Sequence, residues 1–259
     1  MTVGSSSFGT VKAWFVSDIH ISSPEDPRLS RFENFLRARL DDQTTDIFLV
    51  GDIFDLWVGG DDFFVRRYES IVSTVRELRS RGVRVVYFEG NHDLHLQRVW
   101  SKQLGCDVEG GPRYYDLGRF RVRVEHGDQM NPDDTGYLLL RKILRTGAVE
   151  QLADKLPGAW IQAIGNSMSR SSRKWTSSSM KARNETEIRN MIRRHAREVY
   201  AAEPFDLLIS GHVHVQDDTS WKDEESGAEV RSINLGWWAP SEPAKALLLD
   251  ENGPSWVLV

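Results

Sequence analysis

Ile47-Phe48-Leu49-Val50-Gly51-Asp52-Ile53-Phe54-Asp55 is an apolar, β-prone run that stops at a glycine and turns polar at once. A strand buried on both faces reads this way, as a short continuous apolar run, and Gly-Asp is turn chemistry. The design recurs on either side: Val11 to Val16 runs into Ser17-Asp18, and Val83 to Phe88 runs into Glu89-Gly90-Asn91. Between these runs, Arg28 to Leu40 and Phe63 to Arg81 carry apolar residues at spacings of three and four, and Gly82 is a helix stop. Strands alternating with amphipathic helices predict an α/β fold whose first half is built of βαβ units.

After Gly110 the pattern changes. Arg113 to Leu117 and Arg119 to Glu125 flank the turn-forming Gly118, and further strands are expected from Phe205 onward, so the second half reads as mixed or antiparallel sheet. From about Asp133 to Ala202 only helical patterns occur, broken at Pro157-Gly158. The expected organisation is a single domain over 1–259 with a helical lid inserted at 133–202. Between Asn166 and Tyr200 nine Arg or Lys face three Glu, a local charge of +6 in a chain of net charge -5. The commonest origin of such a run is a solvated helix face.

Composition removes several classes. A chain of 259 residues can bury roughly 70 to 75% of its unfolded surface around one core, so it needs neither disulfides nor structural zinc. The single Cys106 fits a reducing compartment, and its plainest role is that of a small buried apolar residue. No basic, apolar leader precedes Lys12, and the apolar stretch after it is cut short at Asp18, so a cytoplasmic protein is expected. A pI near 5.8 argues against a duplex-DNA binder.

Five polar clusters punctuate the chain: Asp18-Ile19-His20, Gly51-Asp52-Ile53-Phe54-Asp55, Gly90-Asn91-His92-Asp93, His126-Gly127-Asp128 and Gly211-His212-Val213-His214. Each alone is most simply a turn or a satisfied core histidine. Together they supply oxygen and imidazole donors at the ends of expected strands, a set suited to borderline divalent ions such as manganese, iron or zinc. Two such ions roughly 3.5 to 4 Å apart polarise a phosphoryl group and activate water for in-line attack.

The ordered series D-x-H, G-D-x-x-D, G-N-H-D, H-G-D and G-H-x-H resembles the calcineurin-like metallophosphoesterase superfamily from Asp18 to His214. The resemblance implies a four-layer αββα sandwich with the ligands on loops at one end. It implies that Asp18, His20 and His214 hold one metal, that Asn91, His126 and His212 hold the other, and that Asp52 bridges them. His92 would be the catalytic histidine, with Asp93 holding it in its useful tautomer.

A narrower resemblance is carried by Gly51 to Asp62, which is similar to the G-D-x-F-[ED]-x-W-x-G-x-D-D segment of UDP-2,3-diacylglucosamine pyrophosphohydrolases of the lipid A pathway. His126-Gly127-Asp128 followed by Asp133-Asp134, Tyr137 and Arg141 matches the same family's H-G-D-x4-D-D-x2-Y-x3-R pattern. This implies two divalent ions, manganese first with iron or zinc as alternatives. It also implies a nucleotide-linked lipid substrate and peripheral contact with the inner membrane surface. The substrate contacts it suggests are Asn91, Asp134, Tyr137, Arg141, Ser172, Thr176, Lys181 and His212. Two departures leave the substrate open. His92 stands where the best-known branch has Arg, and the last motif runs into Val215-Gln216 where that branch has Thr-His-Arg-Pro.

A diacylated nucleotide needs an apolar groove beside cations. Leu138-Leu139-Leu140, Ile143-Leu144, Leu152, Leu156, Trp160-Ile161 and Ile164 could line one, with Arg170, Arg173 and Lys174 meeting phosphates, although apolar residues at helical spacing are more often core. Trp57 reads as core, whereas Trp237-Trp238 is either core or border of the site. The expected activity is hydrolysis of UDP-2,3-diacylglucosamine to UMP and 2,3-diacylglucosamine 1-phosphate. The alternatives are a calcineurin-like phosphodiesterase or phosphatase for another nucleotide or nucleic acid, and a non-catalytic binding module. The complete ligand set and His92 speak against the last.

Overall fold

In a computed structural model, which describes residues 10–60, 62–153, 155–158, 160–161 and 184–259, the apolar runs are strands whose successive side chains serve opposite layers. Strand β1 (Ala13–Val16) sends Trp14 and Val16 to one face and Ala13 and Phe15 to the other. β2 (Asp46–Leu49) and β4 (Arg84–Phe88) repeat the division, with Ile47, Leu49, Val85 and Tyr87 on the first face and Phe48, Val86 and Phe88 on the second. Both faces are apolar because both are covered, which is why these strands read as unbroken hydrophobic runs.

The first face packs on helices α1 (Pro27–Ala38), α2 (Asp62–Arg67) and α3 (Glu69–Ser80) through Leu29, Phe32, Phe64, Ile71 and Val75. Asp26 caps α1 by accepting from the Arg28 amide, with Pro27 at its first turn. The single helix expected over Phe63 to Arg81 is broken at Tyr68, which is buried and lies 4.5 Å, ring to ring, from Phe54. Burying that ring in the aromatic cluster outweighs helical continuity.

The second face meets another sheet. β6 (Asp107–Glu109), β12 (Lys245–Asp250) and β13 (Gly253–Leu258) complete the first sheet in the order β13-β12-β1-β2-β4-β6, parallel from β1 to β6 and antiparallel at the other edge. β7 (Arg113–Leu117), β8 (Phe120–Val124), β9 (Leu207–Ser210), β10 (Asp217–Lys222) and β11 (Glu229–Asn234) form the second, in the order β10-β11-β9-β8-β7. Its inner residues Tyr115, Val122, Val124, Ile209 and Ile233 pack on Phe15, Phe48 and Phe88. A small pair, β3 (Trp57–Val58) with β5 (Asp93–Leu94), ties the second motif to the third.

Between Asp133 and Ala202 the described residues include α4 (Thr135–Leu144), α5 (Gly147–Ala153) and α6 (Glu185–Ala202), and no strand. Helix α6 lies on the outer face of the second sheet, Ala196 packing with Phe205, Leu208 and Val230. So α6 is the fourth layer of an αββα sandwich. Its arginines are engaged: Arg189 and Arg193 both pair with the buried Asp217, at 2.8 and 2.9 Å, and Arg197 lies over the Trp221 ring. No helix among the described residues is long and apolar enough to cross a membrane.

Candidate metal centre

The loops that end β1, β2, β4, β8 and β9 meet at one edge of the sandwich, and their backbones are bonded to each other. The Asp18 amide donates to the Gly51 carbonyl (3.1 Å), His20 to Asp52 (3.0 Å), Gly211 to His126 (2.9 Å) and Trp57 to His92 (3.0 Å). Asp18, His20, Asp52, His212 and His214 all have φ between 51° and 72°. Left-handed backbone at non-glycine residues is costly and gathers at functional sites. Gly51 has φ 83°, and any side chain there would collide with the His126 ring.

Among the described residues three groups of donor atoms result, each within 4.8 Å of its own members: Asp18 with His20 and His214, Asp52 with His126 and His212, and, on the rim, His20 with Asp55 and His92. In the first, His20 Nε2 is 3.0 Å from His214 Nε2, and Asp18 Oδ1 is 3.4 Å from His214 Nε2 and 3.8 Å from His20 Nε2. In the second, Asn91 Oδ1 is 3.0 Å from His212 Nδ1 and 3.3 Å from His126 Nε2. Asp52 stands between the groups, its Oδ2 3.9 Å from His20 Nε2 and 3.6 Å from His126 Nε2. Its Oδ1 is taken by the amides of Asn91 and His92, both at 2.9 Å.

The donors suit a pair of divalent cations. Asp18 is fully buried; its Oδ2 accepts from Ser17 and from the His212 amide, while its Oδ1 has no hydrogen-bond partner. An ionised carboxylate oxygen left so in a dry site calls for a cation. The His126 Nδ1 faces the Val50 carbonyl at 2.9 Å, which can only accept, so Nδ1 carries the proton and Nε2 is free to coordinate.

Electrostatics agree with that assignment of donors. Burial works to raise the Asp18 and Asp52 carboxyls, but the His214 ring beside Asp18 and the His126, His92 and His20 rings around Asp52 hold both below the usual range. Burial pushes His20 down to about 3, and burial with the neighbouring His126 pushes His212 down to about 4. His126 goes the other way, to about 9, because Asp52 and Asp18 outweigh its burial. Ionised Asp18 and Asp52 beside neutral His20 and His212 are the form a metal requires, whereas His126 must release a proton when a cation binds.

His92 sits on the rim, its ring 4.9 Å from that of His20. Its Nδ1 is 2.9 Å from the Asp55 carbonyl. Asp93 does not perform the expected task of orienting His92. Its buried carboxylate accepts from the amides of Asp52 (3.1 Å), Ile53 (2.8 Å) and Gly90 (2.7 Å) and from the Tyr87 hydroxyl (2.7 Å). Successive side chains of an extended segment point apart, so Asp93 turns inward while His92 turns out. Asp55, a member of the G-D-x-x-D cluster given no role from sequence, supplies the bond expected of Asp93.

The other expected contacts divide. Asp134 caps α4 by accepting from the Tyr137 amide (3.1 Å). Tyr137 and Arg141 both donate to Asp128 Oδ2, at 2.9 and 2.5 Å, and the Tyr137 ring lies 6.1 Å from that of His212. Thus α4 is fastened to the fourth motif. Ser172, Thr176, Lys181, Arg170, Arg173, Lys174 and Ile164 lie outside the described residues. Trp57 is core, as expected, and so is Trp238; Trp237 is 41% exposed and stacks on His214 at 5.3 Å, so it borders the site. Leu139, Leu140, Ile143, Leu152 and Trp160 are exposed rather than core, whereas Leu156 and Ile161 pack inward.

The calcineurin-like phosphoesterase family model matches residues 11–216. The chain is 30% identical over 239 residues to a UDP-2,3-diacylglucosamine hydrolase of Stutzerimonas stutzeri (strain A1501), covering 92% of this chain and 95% of that protein. It is 31% identical over 224 residues to the protein of the same name in Pseudomonas putida (strain W619), covering 86% and 89% of the two chains. Among solved structures, zinc-bound Vps29 from Entamoeba histolytica covers 96% of this chain and 98% of its own at 12% identity, with a TM-score of 0.41. With a family match over most of its length, the chain belongs to the calcineurin-like phosphoesterases and is a metal-dependent hydrolase of phosphoric esters or pyrophosphates.

Proposed function

We propose that the chain hydrolyses the pyrophosphate of UDP-2,3-diacylglucosamine, adding water across one P–O bond to release UMP and 2,3-diacylglucosamine 1-phosphate. The observation that carries this reading is a helix that is bonded to the fourth motif and exposes apolar side chains. Helix α4, bound to the fourth motif through Asp128, presents Leu139, Leu140 and Ile143 to solvent, and Leu152 and Trp160 follow in the same insertion. Isolated exposed apolar residues are ordinary, but three on one helix fastened to a polar site suit acyl chains. It also suits contact with the membrane surface from which such a lipid is drawn. Relatives named for this substrate support the reading over nearly the whole chain.

Asp18, His20 and His214 would hold one divalent ion, Asn91, His126 and His212 the other, with Asp52 shared; manganese is the first candidate, iron and zinc the others. When bound, the ions supply Lewis-acid polarisation of the phosphoryl oxygens and lower the pKa of water. His92, which belongs to neither of these two sets but groups with Asp55 and His20 on the rim, either gives a proton to the departing phosphate oxygen or hydrogen-bonds the transferring phosphoryl group. Trp237, exposed beside His214, borders the space where the substrate would lie.

The test is to offer manganese-loaded protein UDP-2,3-diacylglucosamine beside simple phosphodiesters in ¹⁸O water and to locate the label by phosphorus NMR. The label is expected in UMP, from attack at the phosphorus nearer uridine. Absence of turnover with this substrate, alongside cleavage of a cyclic or oligonucleotide, transfers the assignment to a nucleotide phosphodiesterase.

A further inference from the structure

Helix α4 is joined to the donor cluster at both ends. At its far end Arg145, the C-cap residue, directs its guanidinium into the loop that carries the third motif. Arg145 Nη2 donates to the Glu89 carbonyl (3.0 Å) and the Gly90 carbonyl (2.9 Å), and Nη1 donates to Glu89 Oε2 (2.7 Å) and the Gly110 carbonyl (3.2 Å). Both side chains of the pair are largely buried. From the same loop, His95 Nε2 lies 2.8 Å from the Leu144 carbonyl, one of the acceptors left free where α4 ends.

Only the planar fork of an arginine reaches two successive carbonyls and a carboxylate together. Those carbonyls belong to the two residues immediately before Asn91 and His92. On the opposite side the loop cannot yield, because a side chain at Gly90 would collide with Asp52, whose Oδ1 already takes the Asn91 and His92 amides. Asp52 and Asp93 therefore hold the loop from within, and Arg145 closes it from without.

We propose that Arg145 is a positioning residue of the hydrolytic site: it fixes the Glu89–Gly90 backbone and thereby the placement of Asn91 and His92, making the first helix of the insertion and the third-motif loop one body. This rests on the reading of Asn91 as a metal ligand and His92 as a catalytic group, and is independent of which phosphoester is the natural substrate.

The test compares Arg145→Met and Arg145→Lys in the full chain. Three readouts are taken: manganese binding by calorimetry, kcat and KM on bis(p-nitrophenyl) phosphate, and melting temperature without metal. Removing a partner that orients a ligand typically costs 10- to 100-fold in metal affinity or activity. Arg145→Met is expected to weaken one of two manganese-binding steps by about that factor and to lower kcat with little change in KM. Arg145→Lys, retaining a donor but not the fork, should recover part of both losses. If Arg145→Met does not fold, the lysine variant and its selective effect on one ion carry the test. Wild-type manganese affinity and wild-type kcat per folded molecule, with only a lower melting temperature, would overturn the proposal. So would equal weakening of both ions. The calorimetry reads out even if UDP-2,3-diacylglucosamine proves not to be a substrate.

Discussion

His92 and Asp93 are adjacent in sequence and opposed in task. Because the Asp55 carbonyl can only accept, Nδ1 of His92 keeps a proton, and because Asp52 and the Asp55 carbonyl raise the ring's pKa against its burial, the imidazolium is favoured and its Nε2–H on the far side of the ring is left to meet a substrate. His92→Ala should therefore retain both ions and lose roughly 10² to 10⁴ in turnover, the usual worth of general acid help. The loss should shrink with a good leaving group, and equal losses on both kinds of substrate would point to phosphoryl stabilisation instead. Asp93→Ala should behave differently, since it strands three amides and a hydroxyl at about 1–3 kcal/mol per unsatisfied buried group and frees the Asp52 and Gly90 loops from each other. Calorimetric metal titration with steady-state kinetics separates them: a lost ion in His92→Ala, or intact metal binding and stability in Asp93→Ala, would defeat this division.

At the scale of elements, α4 exposes Leu139 by 60% and Ile143 by 50%, while Tyr137 and Arg141 hold its other side to Asp128. A charge placed at an exposed site costs the fold little, within about 0.5 kcal/mol. Leu139→Glu and Ile143→Glu should thus melt close to wild type, yet weaken binding of a diacylated substrate and leave a small aryl phosphodiester unaffected. Unchanged kinetics on the diacylated substrate would remove α4 from the lipid surface, and a collapsed melting temperature would mean the two side chains are core after all. The parallel strands were legible because Trp14/Phe15, Ile47/Phe48 and Val85/Val86 fill two layers at once and leave an apolar run in the sequence. The donor set was legible for a related reason, each ligand following its strand. The break at Tyr68 and the docking of α6 were not, since an amphipathic pattern records that a face is buried and not against what. Nor were the partners of Asp93, Arg145 and His95, which apart from the Tyr87 hydroxyl and the Glu89 carboxylate are backbone amides and carbonyls carrying no residue identity.

For the molecule as a whole, the sandwich holds strained and charged loops that a cation would relieve. Five of the candidate metal donors, Asp18, His20, Asp52, His212 and His214, adopt left-handed backbone, conformations that cost on the order of 1–3 kcal/mol each when the surrounding structure must enforce them. Two buried carboxylates, Asp18 and Asp52, face imidazoles rather than fixed cations, and Asp18 Oδ1 has no donor. A ligand that binds this arrangement and not the unfolded chain stabilises it by mass action, about 4 kcal/mol for one site at a thousandfold excess over Kd. For a chain of this size that corresponds to roughly 8 to 16 °C in Tm. Chelator-stripped protein should therefore melt lower than manganese-loaded protein by about that margin and lose hydrolysis, with both restored by Mn²⁺. Asp52→Ala removes the only carboxylate among the described residues that is placed between the two donor groups, so it should show the smallest manganese shift among single ligand replacements. Scanning fluorimetry across a manganese series reads both effects. A wild-type Tm indifferent to millimolar Mn²⁺, Fe²⁺ and Zn²⁺, or full hydrolysis in stripped protein, would mean that these donors do not hold metal.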